Sequence, residues 1–420
     1  MKQQKAKNFT TDKLSEYASV FLNKVTSLPN IVFYIAPLLI LSLWLLAVIL
    51  HGDIKAPQTY YLLQYVFTYD HGFVARGLFG EVLSWFVDVV TDEIVVTCNI
   101  VVNFLLVIAS SLCFGKALSK AKTNPDVFPV VVFLCVFVCF LPLSFGEFFI
   151  DVKHDKTIWI ITLMAVFFSG NKYSIWLVPL LCILASLVNP VFMFISMVLI
   201  AIILLHKYFS SNFSVKNLII CIITYASIIF LGIYAVTSQQ ELGFESAEEM
   251  VLFYFSRYEK PLDPEVVSRF GTDWIFDYFV SFAEGFKLVT SQYFYEIYFG
   301  PSAVFSFIWS GIPVFSLFAY FWVKAIRNES DKFQKLIYFL CSLVPLVSLP
   351  SSIISWEFAK YFGHNLIIEF GLVLYFINQD LPSFKETIRQ IIHSMKAKPF
   401  ITVLLSSYIL TIIHGSAYVF

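Results

Sequence analysis

Apolar residues along this chain fall into runs long enough to cross a bilayer, separated by short polar segments. Such runs cover Ile31 to Leu50, Ile94 to Gly115, Val127 to Phe145, Thr157 to Gly170 and Asn217 to Thr237. Ser174 to His206 is one apolar stretch of 33 residues, too long for a single crossing, which takes roughly 20. Asn189 and Pro190 at its centre are turn chemistry, so it reads as two short spans. Beyond a polar region come Pro301 to Trp322, Leu336 to Ile354, Asn365 to Ile377 and Phe400 to Ala417. The pattern predicts an all-α, polytopic membrane protein of about eleven transmembrane helices. Residues 1–420 form one transmembrane domain, with a first outer loop at 51–93 and a large outer loop at 238–300.

Composition agrees: 59% of residues are apolar, 14% are charged and the mean hydropathy is +0.78, more apolar surface than a soluble core of this length hides. Charge then orients the chain. With Met1 on the cytoplasmic side, nineteen of the 28 Lys and Arg fall on cytoplasmic segments and nine on outer ones. The positive-inside rule therefore puts the N-terminus in the cytoplasm and the C-terminus outside. Acidic residues divide the other way, seven inside and twenty-one outside, with Glu369 inside a span. The expected location is the cytoplasmic (inner) membrane of a bacterium. No cleavable signal is expected, because the first apolar run begins near residue 31 without a small-residue cleavage pattern. All seven cysteines fall in predicted spans, which supports neither a disulfide framework nor a zinc site.

Candidate chemistry gathers on the outer face. The first outer loop reads as two interfacial helices, Pro57 to Tyr69 and Phe73 to Val90, around a break at Asp70, His71 and Gly72. In the second helix Glu81, Ser84 and Asp88 share one side and Phe79, Leu83, Phe86 and Val90 the other, while Gly77 and Gly80 admit close approach of a backbone or headgroup. Asp70, His71 and Arg76 thus meet at the membrane surface, as a reactive group or as a helix cap with a phosphate anchor. The next outer loop holds Glu147, Asp151, His154, Asp155 and Lys156 within ten residues. Asp151, His154 and Asp155 have the i, i+3, i+4 spacing that brings them onto one helical face. That spacing suits a proton relay, ligation of a divalent cation, or an ordinary solvated cap.

The large outer loop carries eleven acidic and four basic residues among interleaved aromatics, including Tyr254, Tyr258 and Trp274. Rings edged with carboxylates suit a carbohydrate, and they suit an interfacial aromatic belt as well. Arg257 and Arg269 are candidates to hold a phosphate. The last polar outer segment contributes Glu357, Lys360 and His364, with Glu369 about 6 Å below the predicted helix end. Glu369 either serves an outer cavity or snorkels to water.

This layout resembles the integral-membrane glycosyltransferases of the GT-C type. The likeness lies in a cytoplasmic N-terminus, a long first outer loop with surface helices and an acidic residue, a second acidic cluster after the third span, and a long loop after the seventh. It also looks like the O-antigen type polymerases of bacterial surface polysaccharides, in length, span number and aromatic content. The resemblance implies that Asp70 is the catalytic base or acceptor-orienting group and that Asp151 and Asp155, with Glu147, occupy the second acidic position.

The expected reaction is glycosyl transfer or polymerisation from a polyprenyl-phosphate or polyprenyl-diphosphate donor at the outer face. His71 assists Asp70; Arg76, His154 and Lys156 hold the phosphate; Arg257, Trp274 and Arg269 close over the glycan. Expected partners are the lipid-linked sugar, membrane lipid and other glycan-assembly proteins, and no nucleic acid. The competing class is a transporter or flippase of lipid-linked glycan, with Glu369 as a coupling residue.

Overall fold

The computed structural model describes residues 19–54, 62–72, 77–139, 155–169, 174–188, 196–210, 214–238, 243–261, 312–347 and 358–398, with a few isolated positions besides. In chain order the helices used below are α1 (Asn30–His51), α2 (Leu63–Val66), α3 (Leu78–Ser84), α4 (Asp92–Ala121), α5 (Phe128–Cys139), α6 (Asp155–Ser169) and α7 (Leu177–Val188). They continue with α8 (Ser196–Ser210), α9 (Val215–Ser238), α10 (Ala247–Phe255), α11 (Ile312–Asn328), α12 (Lys332–Val347), α13 (Phe358–Gln379) and α14 (Pro382–Ala397). The only β feature among the described residues is an isolated bridge between Val90 and Tyr258. The all-helical class is as predicted.

Among the described residues, two helices are long and apolar enough to cross a membrane: α1 with 22 residues and α4 with 30, about 33 and 45 Å at 1.5 Å per residue. They pack antiparallel. Near one end Lys122 Nζ donates to the Leu28 carbonyl at 2.8 Å, and Gly115 is pressed against Tyr34, leaving no room for a Cβ. Leu39, Ile40, Leu43 and Leu46 on α1, and Val101, Phe104 and Leu105 on α4, remain exposed, the faces that a lipid environment would cover.

Shorter apolar helical stretches lie at Phe128–Cys139, Lys156–Ser169, Leu177–Val188, Ser196–Lys207 and Val215–Leu231. They fall where five further spans are predicted, and the described apolar stretch of each is 10–17 residues long. Two helices, α7 and α8, flank the predicted break at Asn189 and Pro190; residues 189–195 lie outside the described set.

Three elements differ from the sequence reading. Among the described residues of the predicted first outer loop, α2 stops at Val66, where Phe67 turns extended, and α3 covers Leu78–Ser84, so the predicted interfacial helices run on neither to Tyr69 nor to Val90. Helix α13 begins at Phe358, seven residues before the predicted span. Helix α14 is an amphipathic helix with Pro382 at its first position, where a missing N–H is harmless, and with Phe384, Thr387 and Ile388 buried. The apolar interior divides into a large cluster in the bundle and a smaller one at the N-terminal end of α4.

Candidate functional site

The smaller cluster joins two segments that the sequence places in different outer loops. Leu62, Leu63, Tyr65, Val66 and Phe67 from the first loop pack against Met250, Val251, Tyr254 and Phe255 of α10, with Val90 and Val95 completing the cluster. Ser246 starts α10 by accepting the Glu249 N–H at 3.1 Å, and Glu249 accepts the Glu245 N–H at 2.7 Å, a pairing close to a capping box. Polar bonds then lock the two segments. The Val90 N–H donates to the Arg257 carbonyl at 2.7 Å and the Glu259 N–H donates to the Val90 carbonyl at 3.0 Å. Tyr254 Oη donates to the Thr68 carbonyl at 3.2 Å.

Those bonds hold the turn that presents Asp70. Thr68 Oγ1 donates to Asp70 Oδ2 at 2.6 Å, while the Asp70 side chain stays exposed. Glu81 braces the turn from α3: its Oε2 accepts the Tyr69 N–H at 2.8 Å and its Oε1 accepts the Trp85 indole N–H at 3.2 Å. Burial, and then the charge of Glu81, push the Tyr69 phenol above its usual range. Gly80 lets α3 lie on the backbone of Phe67, where an added Cβ would sit 2.2 Å from the carbonyl oxygen. Gly72, at φ 120°, turns the chain after His71 in a conformation open to glycine. The exposed His71 ring leans on Phe244 and Phe253, with centroids 4.7 and 4.5 Å away. Asp70 and His71 therefore stand on a braced turn facing solvent.

Beside the turn lies a carboxylate that the sequence reading did not single out. Asp92, in the first turn of α4, accepts hydrogen bonds from Tyr258 and Lys260, and its N–H donates to Glu259 Oε1 at 3.0 Å. The Lys260 bond first, then the Tyr258 bond, hold the Asp92 carboxyl below its usual range. Burial and the bond to Asp92 raise the Tyr258 phenol. Asp92 also complements the positive end of the α4 dipole. This clamp ties the first loop to the large one.

Two residues assigned to phosphate are occupied by protein groups. Arg257 donates from Nη1 to the Val66 carbonyl at 3.2 Å and from Nη2 to the Val87 carbonyl at 3.4 Å, so it braces backbone. Lys156, near the start of α6, is buried and donates to Oδ1 of Asn99 and to Oδ1 of Asn103 at 2.9 Å. Asn103 in turn donates to the Phe149 carbonyl at 2.8 Å. The signal was present as two Asn four residues apart in an apolar helix. Asn99 lies seven residues, about 10 Å, along α4 from Asp92. The start of α6 is thus bonded to α4 about two turns from Asp92.

Glu369 is placed differently from the expectation. It sits eleven residues into α13, about 16 Å from that helix's start, and is fully buried. Its Oε2 accepts the Trp322 indole N–H at 2.7 Å, and its Oε1 has no partner among the described residues. Snorkelling is excluded by this burial. Six residues on, Tyr375 Oη bonds His206 Nδ1 at 2.8 Å. The group belongs to the bundle interior.

The remaining candidates Arg76, Asp151, His154, Arg269, Trp274 and Glu357 lie outside the described residues, as does Glu147. Asp155 opens α6, and Lys360 and His364 lie in the first two turns of α13, with side chains outside the description. Among the described residues no group of three or more His, Cys, Asp or Glu is arranged to hold a metal ion. No family model, curated protein or solved structure matches this chain.

Proposed function

We propose that this chain is a multi-pass protein of the cytoplasmic membrane, with about eleven crossings, that transfers or polymerises sugar from a polyprenyl-phosphate or polyprenyl-diphosphate donor at the outer face. The observation that carries this reading is Asp70: an exposed carboxylate on a turn whose backbone is braced by Glu81, Tyr254 and Arg257. A base for an acceptor hydroxyl must be accessible and yet held in position. Here the carboxylate is open to substrate and the backbone beneath it is fixed. His71 stands next to it as the second proton-handling group. With Lys156 and Arg257 engaged by protein partners, the cationic support for the departing phosphate passes in this proposal to Arg76 and His154.

The test is mass spectrometry of lipid-linked glycans and surface polysaccharide in host cells carrying the native chain or Asp70→Asn. The variant is expected to fold and to lose product by about a hundredfold or more, the range of general-base catalysis. Wild-type product from Asp70→Asn removes Asp70 from the role. An unchanged glycan profile in cells lacking the protein removes the reaction itself.

One observation favours a second reading, a carrier for lipid-linked glycan. Glu369 lies at mid-helix with a bare buried oxygen, a position suited to coupling in a transporter. Replacing it by Gln separates the readings, as set out in the Discussion.

A further inference from the structure

At the opposite end of α4 from Asp92, some 45 Å away by helix length, three elements line an open cavity of about 440 Å³. They are α11, α14 and the turn between α4 and α5. Its charged lining consists of Lys324, Arg389, His393 and Lys396 against Asp126 and Glu386. The two carboxylates both lie beside one cation: Arg389 is 3.6 Å from Asp126 and 3.8 Å from Glu386. Lys324 rests over the Tyr320 ring with Nζ 5.6 Å from its centroid. Neither Lys324 nor Lys396 makes an ion pair among the described residues. The cavity therefore offers two lysines to an anion, with His393 beside them.

Its surroundings narrow the choice of anion. On α11, Tyr320 and Val323 are exposed beside Lys324; past the end of α14, Phe400, Val403 and Leu404 are 78%, 64% and 61% exposed. Cations lining an open cavity, with exposed aliphatic and aromatic side chains next to them in the chain, form the pattern that meets a phosphate with acyl chains beneath it. The helix between them is amphipathic, burying Phe384 and Ile388 while Arg389, His393 and Lys396 face outward.

We propose that this cavity binds a phosphate group at the cytoplasmic membrane surface, carried by the headgroup of an anionic lipid. Lys324 and Lys396 contact the phosphate oxygens, Arg389 frames the site from its carboxylate pairs, and Glu386 opposes binding. The inference rests on the membrane placement proposed above and not on the chemistry at the outer face. Recovery of the full chain in the membrane fraction tests that placement separately.

The experiment is calorimetric titration of the full-length chain in neutral detergent with dioctanoyl phosphatidylglycerol, dioctanoyl phosphatidylcholine and inorganic phosphate. Phosphatidylglycerol should bind and phosphatidylcholine should not. Lys324→Gln with Lys396→Gln should weaken binding roughly thirtyfold, at about fivefold per membrane-surface lysine. Glu386→Gln should tighten it severalfold, a gain that a misfolded variant cannot imitate. Displacement of the lipid by millimolar phosphate would identify the phosphate alone as sufficient, and resistance to displacement would show that the acyl chains contribute. Equal binding of the two lipids, no binding of either, or full phosphatidylglycerol binding by the double variant would overturn the proposal.

Discussion

Gly80→Ala tests whether the braced turn is the functional element. The added Cβ would lie 2.2 Å from the Phe67 carbonyl oxygen and 3.0 Å from both the Phe67 nitrogen and the Tyr65 carbonyl oxygen. Ordinary contact begins near 3.4 Å, so α3 and the Tyr65–Phe67 backbone must part by about 1.2 Å along the tightest approach. All three neighbours are backbone atoms, so no side-chain rotation relieves the clash. Overpacking of this kind costs about 1–3 kcal/mol, and the absence of a soft neighbour points to the upper end. Phe67 leads directly into Thr68 and Asp70, and a displacement near 1 Å at a reacting group lowers rate about a hundredfold.

Gly371→Ala is the matched control. There the new Cβ meets only the Leu199 side chain, Cδ1 at 2.6 Å and Cγ at 4.0 Å, whose end can shift where backbone cannot, and mid-helix Ala gains about 1 kcal/mol over Gly. The assay is thermal unfolding of the detergent-purified chain together with glycan product per folded molecule. Gly80→Ala should lower Tm by several degrees, at about 2–4 °C per kcal/mol for a domain of a few hundred residues, and cut product; Gly371→Ala should do neither. Native Tm and native product from Gly80→Ala would refute the link between the packed backbone and the turn.

Lys156→Met should destabilise the protein by about 1–3 kcal/mol, because Asn99 and Asn103 lose a buried donor. A native melting curve with weakened donor use would instead return Lys156 to phosphate binding. Glu369→Gln preserves an acceptor for Trp322; under the transferase reading product persists, and abolished glycan export with intact synthesis at the membrane would favour the carrier. The depressed Asp92 carboxyl contributes stability above its ordinary value near 4, and that contribution is lost as pH falls through the lower folded value. Hydrogen exchange at the Val90 and Glu259 amides should therefore rise below about pH 4. Asp92→Asn should give the same rise at neutral pH, at a small cost to overall stability because the pair is exposed; equal protection in both proteins would dismiss the clamp.

Hydrophobicity is a local property of the chain, so the helical class, the apolar stretches and the two helices flanking Asn189 and Pro190 were legible from composition and spacing alone. The exposed break at Asp70 and His71 was legible for the same reason: a turn flanked by apolar runs announces itself in consecutive residues. Close approach at Gly80 was readable as an opportunity, although not the Phe67 backbone that takes it.

Partnership was not legible, because a charged side chain looks alike in sequence whether water, substrate or protein neutralises it. Lys156 meets Asn103 across 53 residues, Arg257 meets Val66 across 191, and Tyr258 meets Asp92 across 166. Only the packed chain shows that two of the expected phosphate ligands bond protein groups. Glu369 was misplaced in depth because its helix starts seven residues earlier than the apolar run suggested: residues such as Lys360 and His364 continue a helix without continuing its hydrophobicity. Sequence therefore determined where the chain is apolar and where it turns, and tertiary structure decided which polar groups remain free, since that depends on neighbours brought together only by folding.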